Sequence, residues 1–162
     1  MRWAEVTRLV FVCRGNICRS AYAEYWAKAQ GLPAVSIGVD TGKGHRADAM
    51  AAKVARDRDV FIEEHRTTPI GDFEAREGDL FLAMEPWQVA VLAGQKGWTA
   101  EHQITLLGLW IDGHGAVIFD PFGQEEEAFM SCFSLIEAGI LTVKQHIGSS
   151  AAEMPSPEKR VE

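Results

Sequence analysis

The segment Cys13-Arg14-Gly15-Asn16-Ile17-Cys18-Arg19-Ser20 sets a thiol and a guanidinium on the same short loop, with five residues between them. That pairing suits covalent phosphoryl transfer. A cysteine thiolate can attack phosphorus and divide hydrolysis into two displacements. The planar arginine fork can hold two equatorial oxygens while charge builds on them. Ser20 can offer its hydroxyl to the Cys13 sulfur and make it a better leaving group in the second displacement. Spacing alone is weak support, because a chain of 162 residues with three cysteines meets C-x5-R by chance roughly one time in five.

The chemistry also needs a proton donor for the leaving oxygen. Asp120, in Phe119-Asp120-Pro121-Phe122, is the best candidate. Pro121 restricts the backbone beside the carboxylate. Phe122 supplies an aromatic wall suited to a phenyl ring. The rival reading of Asp120 is a turn-forming Asp-Pro.

These residues must be held by the elements around them. Val6 to Val12 is β-branched and aromatic, and reads as a strand that is buried by its end. Ser20 to Gln30 reads as a helix closed by Gly31 and Pro33. Ala34–Ile37, Asp79–Met84 and Ile104–Leu107 read as further strands. Asp48–Arg58, Pro86–Ala93 and about Gln124–His146 read as helices. Strands alternating with helices predict an α/β domain with a parallel sheet covered on both faces. In such sheets ligands bind beyond the carboxyl ends of the strands, where Cys13–Ser20 lies. A loop entering a helix N-terminus converges N–H groups on an anion, and Gly15 and Asn16 tolerate the turn this requires. The same N–H groups, the helix dipole and Arg19 favour thiolate over thiol at Cys13. Arg14, Gly15, Asn16, Ile17, Cys18 and Arg19 are thus the candidate phosphate-binding residues.

Length and composition fit one domain, residues 1–147, followed by a loose tail, 148–162, rich in Ser, Ala, Pro and charge. A formal charge of -7 argues against a general nucleic-acid or anionic-membrane binder. Three cysteines make no disulfide framework, and no signal peptide or membrane span is evident, so the expected location is the cytoplasm. Cys132 lies on the apolar side of the last helix and reads as core.

The chain resembles the low-molecular-weight protein tyrosine phosphatase family in its bacterial form. Val12 to Ser20 resembles that family's N-terminal signature, and Asp120-Pro121-Phe122 its distal Asp-Pro-aromatic motif. Ser36-Ile37-Gly38, Leu82-Ala83-Met84-Glu85 and His65-Arg66 resemble shorter motifs between them, in order, from about Val6 to His146. The resemblance implies a three-layer fold with strand order 2-1-3-4 and no metal or organic cofactor. It implies that Asn16, Ser36 and His65 form a hydrogen-bonded network supporting the loop. It also makes Cys18 a second loop thiol, able to bond to Cys13 on oxidation. The implied partner is a phosphotyrosine-bearing protein, with a bacterial tyrosine kinase as one candidate, acted on by a monomer or weak dimer.

Some positions depart from the pattern. Ala21 replaces the usual Pro, Arg14 brings a charge to a position usually neutral, and Gly38–Arg46 lacks the aromatic that lines the entrance in many members. Members paired with exopolysaccharide-linked tyrosine kinases also lack that aromatic. Thioredoxin-coupled arsenate reductases share the fold, but they need two further cysteines after strand three, and residues 84–97 contain none. Protein-arginine phosphatases of the family carry Thr where Ile17 stands, and Ile17 resembles the tyrosine-directed members. A catalytically silent phosphotyrosine-binding module would not need nucleophile, arginine and acid together.

Overall fold

The computed structural model describes residues 1–99 and 101–153. Four strands, β1 (Arg8–Cys13), β2 (Ala34–Gly38), β3 (Asp79–Ala83) and β4 (Gln103–Leu106), form one parallel sheet in the order β2-β1-β3-β4. Four helices connect and flank them: α1 (Arg19–Ala29), α2 (Ala49–Asp57), α3 (Pro86–Ala93) and α4 (Glu126–Glu153). The expected three-layer α/β fold and strand order are present.

The period of two along each central strand divides the core in two. Leu9, Phe11 and Cys13 of β1, with Leu80 and Leu82 of β3, pack with Tyr22, Ala23 and Ala27 of α1, Val54 of α2, and Phe129, Phe133, Ile136 and Ile140 of α4. Val10, Val12, Phe81 and Ala83 face the other way, onto Ile37, Leu92 and the partly buried Val89 and Trp98. Both faces of β1 and β3 are therefore dry, which is why those strands read as unbroken apolar runs. Tyr22 stacks on Phe133 with ring centroids 3.8 Å apart and anchors α1 to α4.

The chain spends several devices on helix ends close to the sheet's C-terminal edge. Asp48 caps α2 by accepting from the Ala51 N–H at 3.0 Å. Glu85 and Gln88 form a reciprocal capping box on α3, with Pro86 in its first turn. Beyond β4, the segment carrying Ile118 folds back, and the Ile118 N–H reaches the Met84 carbonyl at the end of β3 (2.9 Å). That return brings Asp120 over the mouth of β1.

Most element bounds move by one or two residues from expectation, and three 3-10 turns, Trp3–Glu5, Ile70–Asp72 and Leu107–Trp110, were not anticipated. The larger difference is at α4. It starts two residues later than expected and runs through Glu153, so residues 148–153 of the expected loose tail are helical. A glycine inside a helix costs only about 1 kcal/mol, and Gly148 follows turns anchored on the core through Val143 and Ile147. Residues 154–162, the rest of that expected tail, lie outside the described residues.

Gly108 tests how tightly the return segment is seated. A Cβ built there would stand 2.3 Å from the Gly115 carbonyl oxygen, so the backbone must move. Gly108→Ala is expected to destabilise the fold by about 1–3 kcal/mol, measured by urea unfolding, and to lower turnover by displacing the Asp120 segment.

Candidate active site

At the C-terminal end of β1, the chain turns through Arg14–Ile17 into α1. A cavity of about 160 Å³ sits on that turn, lined by Cys13, Arg14, Gly15, Ile17, Cys18, Arg19, Asp40, Asp120 and Phe122. Eight of the predicted site residues thus meet at one place. The other four, Asn16, Ser20, Ser36 and His65, are buried behind the loop. A larger cavity of about 1000 Å³ lies among Arg2, Glu77, Asp79 and His102, at the opposite end of the sheet. It holds no cysteine and stands away from the edge where such sheets bind ligands.

The loop's shape rests on Asn16, which takes a left-handed φ of 56°. Its side chain joins four segments. Asn16 Oδ1 accepts from the Thr68 N–H (3.0 Å), which fixes the amide's orientation. Asn16 Nδ2 must then donate to both Ser20 Oγ and Ser36 Oγ, each at 2.8 Å. Because Ser20 Oγ accepts from Asn16, its own proton is free for Cys13 Sγ, 2.9 Å away. Ser36 in turn donates to Glu24 Oε1 (2.7 Å), whose other oxygen meets Lys28 (2.6 Å). The Asn16 N–H donates to Cys13 Sγ at 3.3 Å. Both groups that hydrogen-bond the sulfur, the Asn16 N–H and the Ser20 hydroxyl, thus face it as donors.

His65 closes the network from below, with Nε2 2.7 Å from the Asn16 carbonyl oxygen. A carbonyl only accepts, so Nε2 carries the proton. Burial lowers the His65 pKa and keeps the ring neutral, against the smaller opposing pull of the Asn16 carbonyl.

Arg19 is 1% exposed, and its guanidinium is held by partners from later segments of the chain. Its Nη1 donates to the Ile118 carbonyl (2.8 Å) and lies 3.1 Å from Glu85 Oε2, while Nη2 lies 3.4 Å from Asp120 Oδ2. Removing a guanidinium from water requires such partners. Asp120 keeps the Asp-Pro turn as well, since its Oδ1 accepts from the Phe122 N–H at 3.1 Å. The turn reading and the site reading are thus compatible in one side chain. Phe122 is 58% exposed and forms an outer wall.

Cys18 is buried at the start of α1, and burial first, then Asp48, pushes its thiol pKa up. Cys132 is buried in α4 with its pKa raised to about 12 by burial, in keeping with a core role. All three cysteines are free.

Four residues escaped the sequence reading of the site: Glu24, Asp40, Glu85 and Trp87. Glu24 stands one helical turn after Ser20, a spacing that could have indicated a shared face. Glu85 was legible only as part of a strand-end motif, and the structure adds that it caps α3. No local signal marks Asp40, on the loop after β2, or Trp87, in the first turn of α3 and beneath the Arg14 guanidinium.

A thiol, a buried arginine and a distal carboxylate meet around one cavity at the end of β1. The profile described as low molecular weight phosphotyrosine protein phosphatase matches residues 8–152. The low molecular weight protein-tyrosine-phosphatase Wzb of Salmonella typhi is 33% identical over 132 residues, spanning 80% of this chain and 87% of that one. The crystal structure of the Erwinia amylovora tyrosine phosphatase AmsI superposes with a TM-score of 0.76 at 25% identity, over 90% of this chain and 95% of that one. The arginine phosphatase YwlE of Geobacillus stearothermophilus matches with a TM-score of 0.77, over 92% and 98% of the two chains, but at 22% identity it shares the fold alone. The chain belongs to the low-molecular-weight protein-tyrosine-phosphatase family, whose members are phosphoric monoester hydrolases.

The neutral, buried His65 ties stability to pH. The unfolded chain's histidine binds a proton near pH 6.5, whereas folded His65 resists it until lower pH. The unfolded state then holds more protons, so stability is full above about pH 6.5 and is lost as pH falls toward the folded value. Urea midpoints between pH 7.5 and 5 should fall for the wild type. They should fall less steeply for His65→Gln, which keeps a donor for the Asn16 carbonyl without titrating.

Proposed function

We propose that the chain hydrolyses protein phosphotyrosine through a phosphocysteine on Cys13. The observation that carries this reading is the Cys13 sulfur, faced by the Asn16 N–H and the Ser20 hydroxyl inside a cavity that Arg19 and Asp120 also line. The phosphate sits in the loop's N–H groups, with two oxygens on the Arg19 fork. In the first displacement Cys13 attacks phosphorus, the P–O bond to the phenol breaks, and Asp120 protonates the departing oxygen. In the second, Asp120 takes a proton from water, the water oxygen attacks phosphorus, and the S–P bond breaks. Ser20 steadies the departing sulfur with its hydroxyl proton, which the Asn16 amide directs there. The Asp120 carboxylate pairs with Arg19 before substrate arrives; the phosphate dianion takes over that partner, and Asp120 takes from solvent the proton it then passes to the phenol oxygen.

Phe122 and Ile17 support the phenyl ring, since both line the cavity and present apolar carbon to it. Ile17 favours a tyrosine ester over an arginine phosphoramidate, in line with its resemblance to tyrosine-directed members. The partner is a phosphotyrosine-bearing protein, with a bacterial tyrosine kinase as the first candidate, and the enzyme works in the cytoplasm, where three unpaired thiols stay reduced. No helix among the described residues is long and apolar enough to cross a membrane.

Kinetics on aryl phosphates and peptides test this. Cys13→Ser should lower phosphate release from para-nitrophenyl phosphate by about a thousandfold or more. Asp120→Ala should lose about a hundredfold or more on phenyl phosphate, a poor leaving group, and much less on para-nitrophenyl phosphate. Full activity in Cys13→Ser, or faster turnover of phosphoarginine than phosphotyrosine peptides, would sink the reading.

A further inference from the structure

The two arginines of the loop are held in opposite ways. Arg19 is buried and held by Ile118, Glu85 and Asp120. Arg14 is exposed, and among the described residues no carboxylate pairs with it. Its guanidinium lies over the ring of Trp87, 5.2 Å from the centroid. Trp87 is itself fixed, because its indole N–H donates to Glu85 Oε2 at 3.1 Å, and Glu85 is the cap of α3. The face of the guanidinium is thus occupied, while its N–H edge stays open to an incoming group. A planar cation immobilised by stacking loses little entropy on accepting a bidentate carboxylate.

Asp40 gives the rim a second, opposite charge. Its N–H donates to the Arg14 carbonyl at 2.9 Å, and its side chain lines the same cavity mouth. The protein as a whole is acidic, at -7, so a negative peptide is drawn to this mouth only by a local cation.

We propose that Arg14, seated on Trp87, is a specificity-determining residue that binds an Asp or Glu side chain on one flank of the substrate phosphotyrosine. Asp40, beside Arg14 on the same rim, disfavours an acid placed against its own carboxylate. This rests on the tyrosine-phosphatase reading above and adds the peptide context that the same site selects.

Three phosphotyrosine peptides test it: one with Glu before the phosphotyrosine, one with Glu after it, and one with Gln at both places. The quantity compared is the ratio of kcat/KM values within each protein, which cancels any general effect on the loop. In the wild type, one of the two Glu peptides should exceed the Gln peptide by about three- to fivefold, the upper range for an exposed ion pair. Arg14→Met should bring that ratio to about one, and Trp87→Leu and Arg14→Lys should lower it part of the way. Asp40→Asn should raise the disfavoured Glu peptide toward the Gln peptide. Equal rates for all three peptides in the wild type, or an unchanged ratio in Arg14→Met, would overturn the rim assignment while leaving the phosphatase reading standing. A wild type that cleaves none of the three but releases phosphate from phosphoarginine would overturn both.

Discussion

Asn16 sits where the backbone would not go unaided. A non-glycine residue with φ near +56° costs about 1–2 kcal/mol, and the loop cannot wrap an anion without it. The surrounding structure over-determines that conformation through the Thr68 N–H, two serine hydroxyls and the His65 ring. The partners come from three segments, α1, β2 and the loop before the Ile70–Asp72 turn, so the bend is held only where those segments meet. The direction of every proton follows from the two ends of the network. The Thr68 N–H can only donate and the Glu24 carboxylate accepts, and the order between them leaves the Ser20 proton facing sulfur.

A second constraint is the burial of Arg19. A guanidinium out of water is tolerable only with several partners, and those partners stand about seventy to a hundred residues further along the chain. The return of the Ile118 segment to the end of β3 therefore serves two ends at once. It satisfies the arginine, and it brings Asp120 within reach of the same cavity. Glu85 is shared in a comparable way between capping α3, bracing Arg19 and orienting Trp87, which couples the phosphate-binding centre to the rim.

The chemistry of the site was written locally. Cys13 to Ser20 announces its role through residue types and through its seat between a dry strand and a helix start, and Asp120-Pro121-Phe122 needed only its own three residues and a chemical demand for an acid. The strand order, by contrast, followed from the family resemblance, since alternating strands and helices leave several parallel orders open. The end of α4 lies later than expected because the composition of the tail, rich in Ser, Ala, Pro and charge, marks no helix, whereas packing of the preceding turns carries the helix on to Glu153. Glu24, Asp40, Glu85 and Trp87 could not be assigned from sequence, because their roles depend on which segments become neighbours.

The sequence by itself determined the α/β class and nominated Cys13, Arg19 and Asp120 for the proposed chemistry, because both depend on side-chain chemistry and on periodicities of two and of 3.6, which are local properties of the chain. Only the tertiary structure decided which arginine is buried and which is presented, how the Asn16 network is polarised, and what stands on the cavity rim. Hydrogen-bond polarity, burial and stacking are relations between segments far apart in the chain, and they exist only once the sheet has brought those segments together.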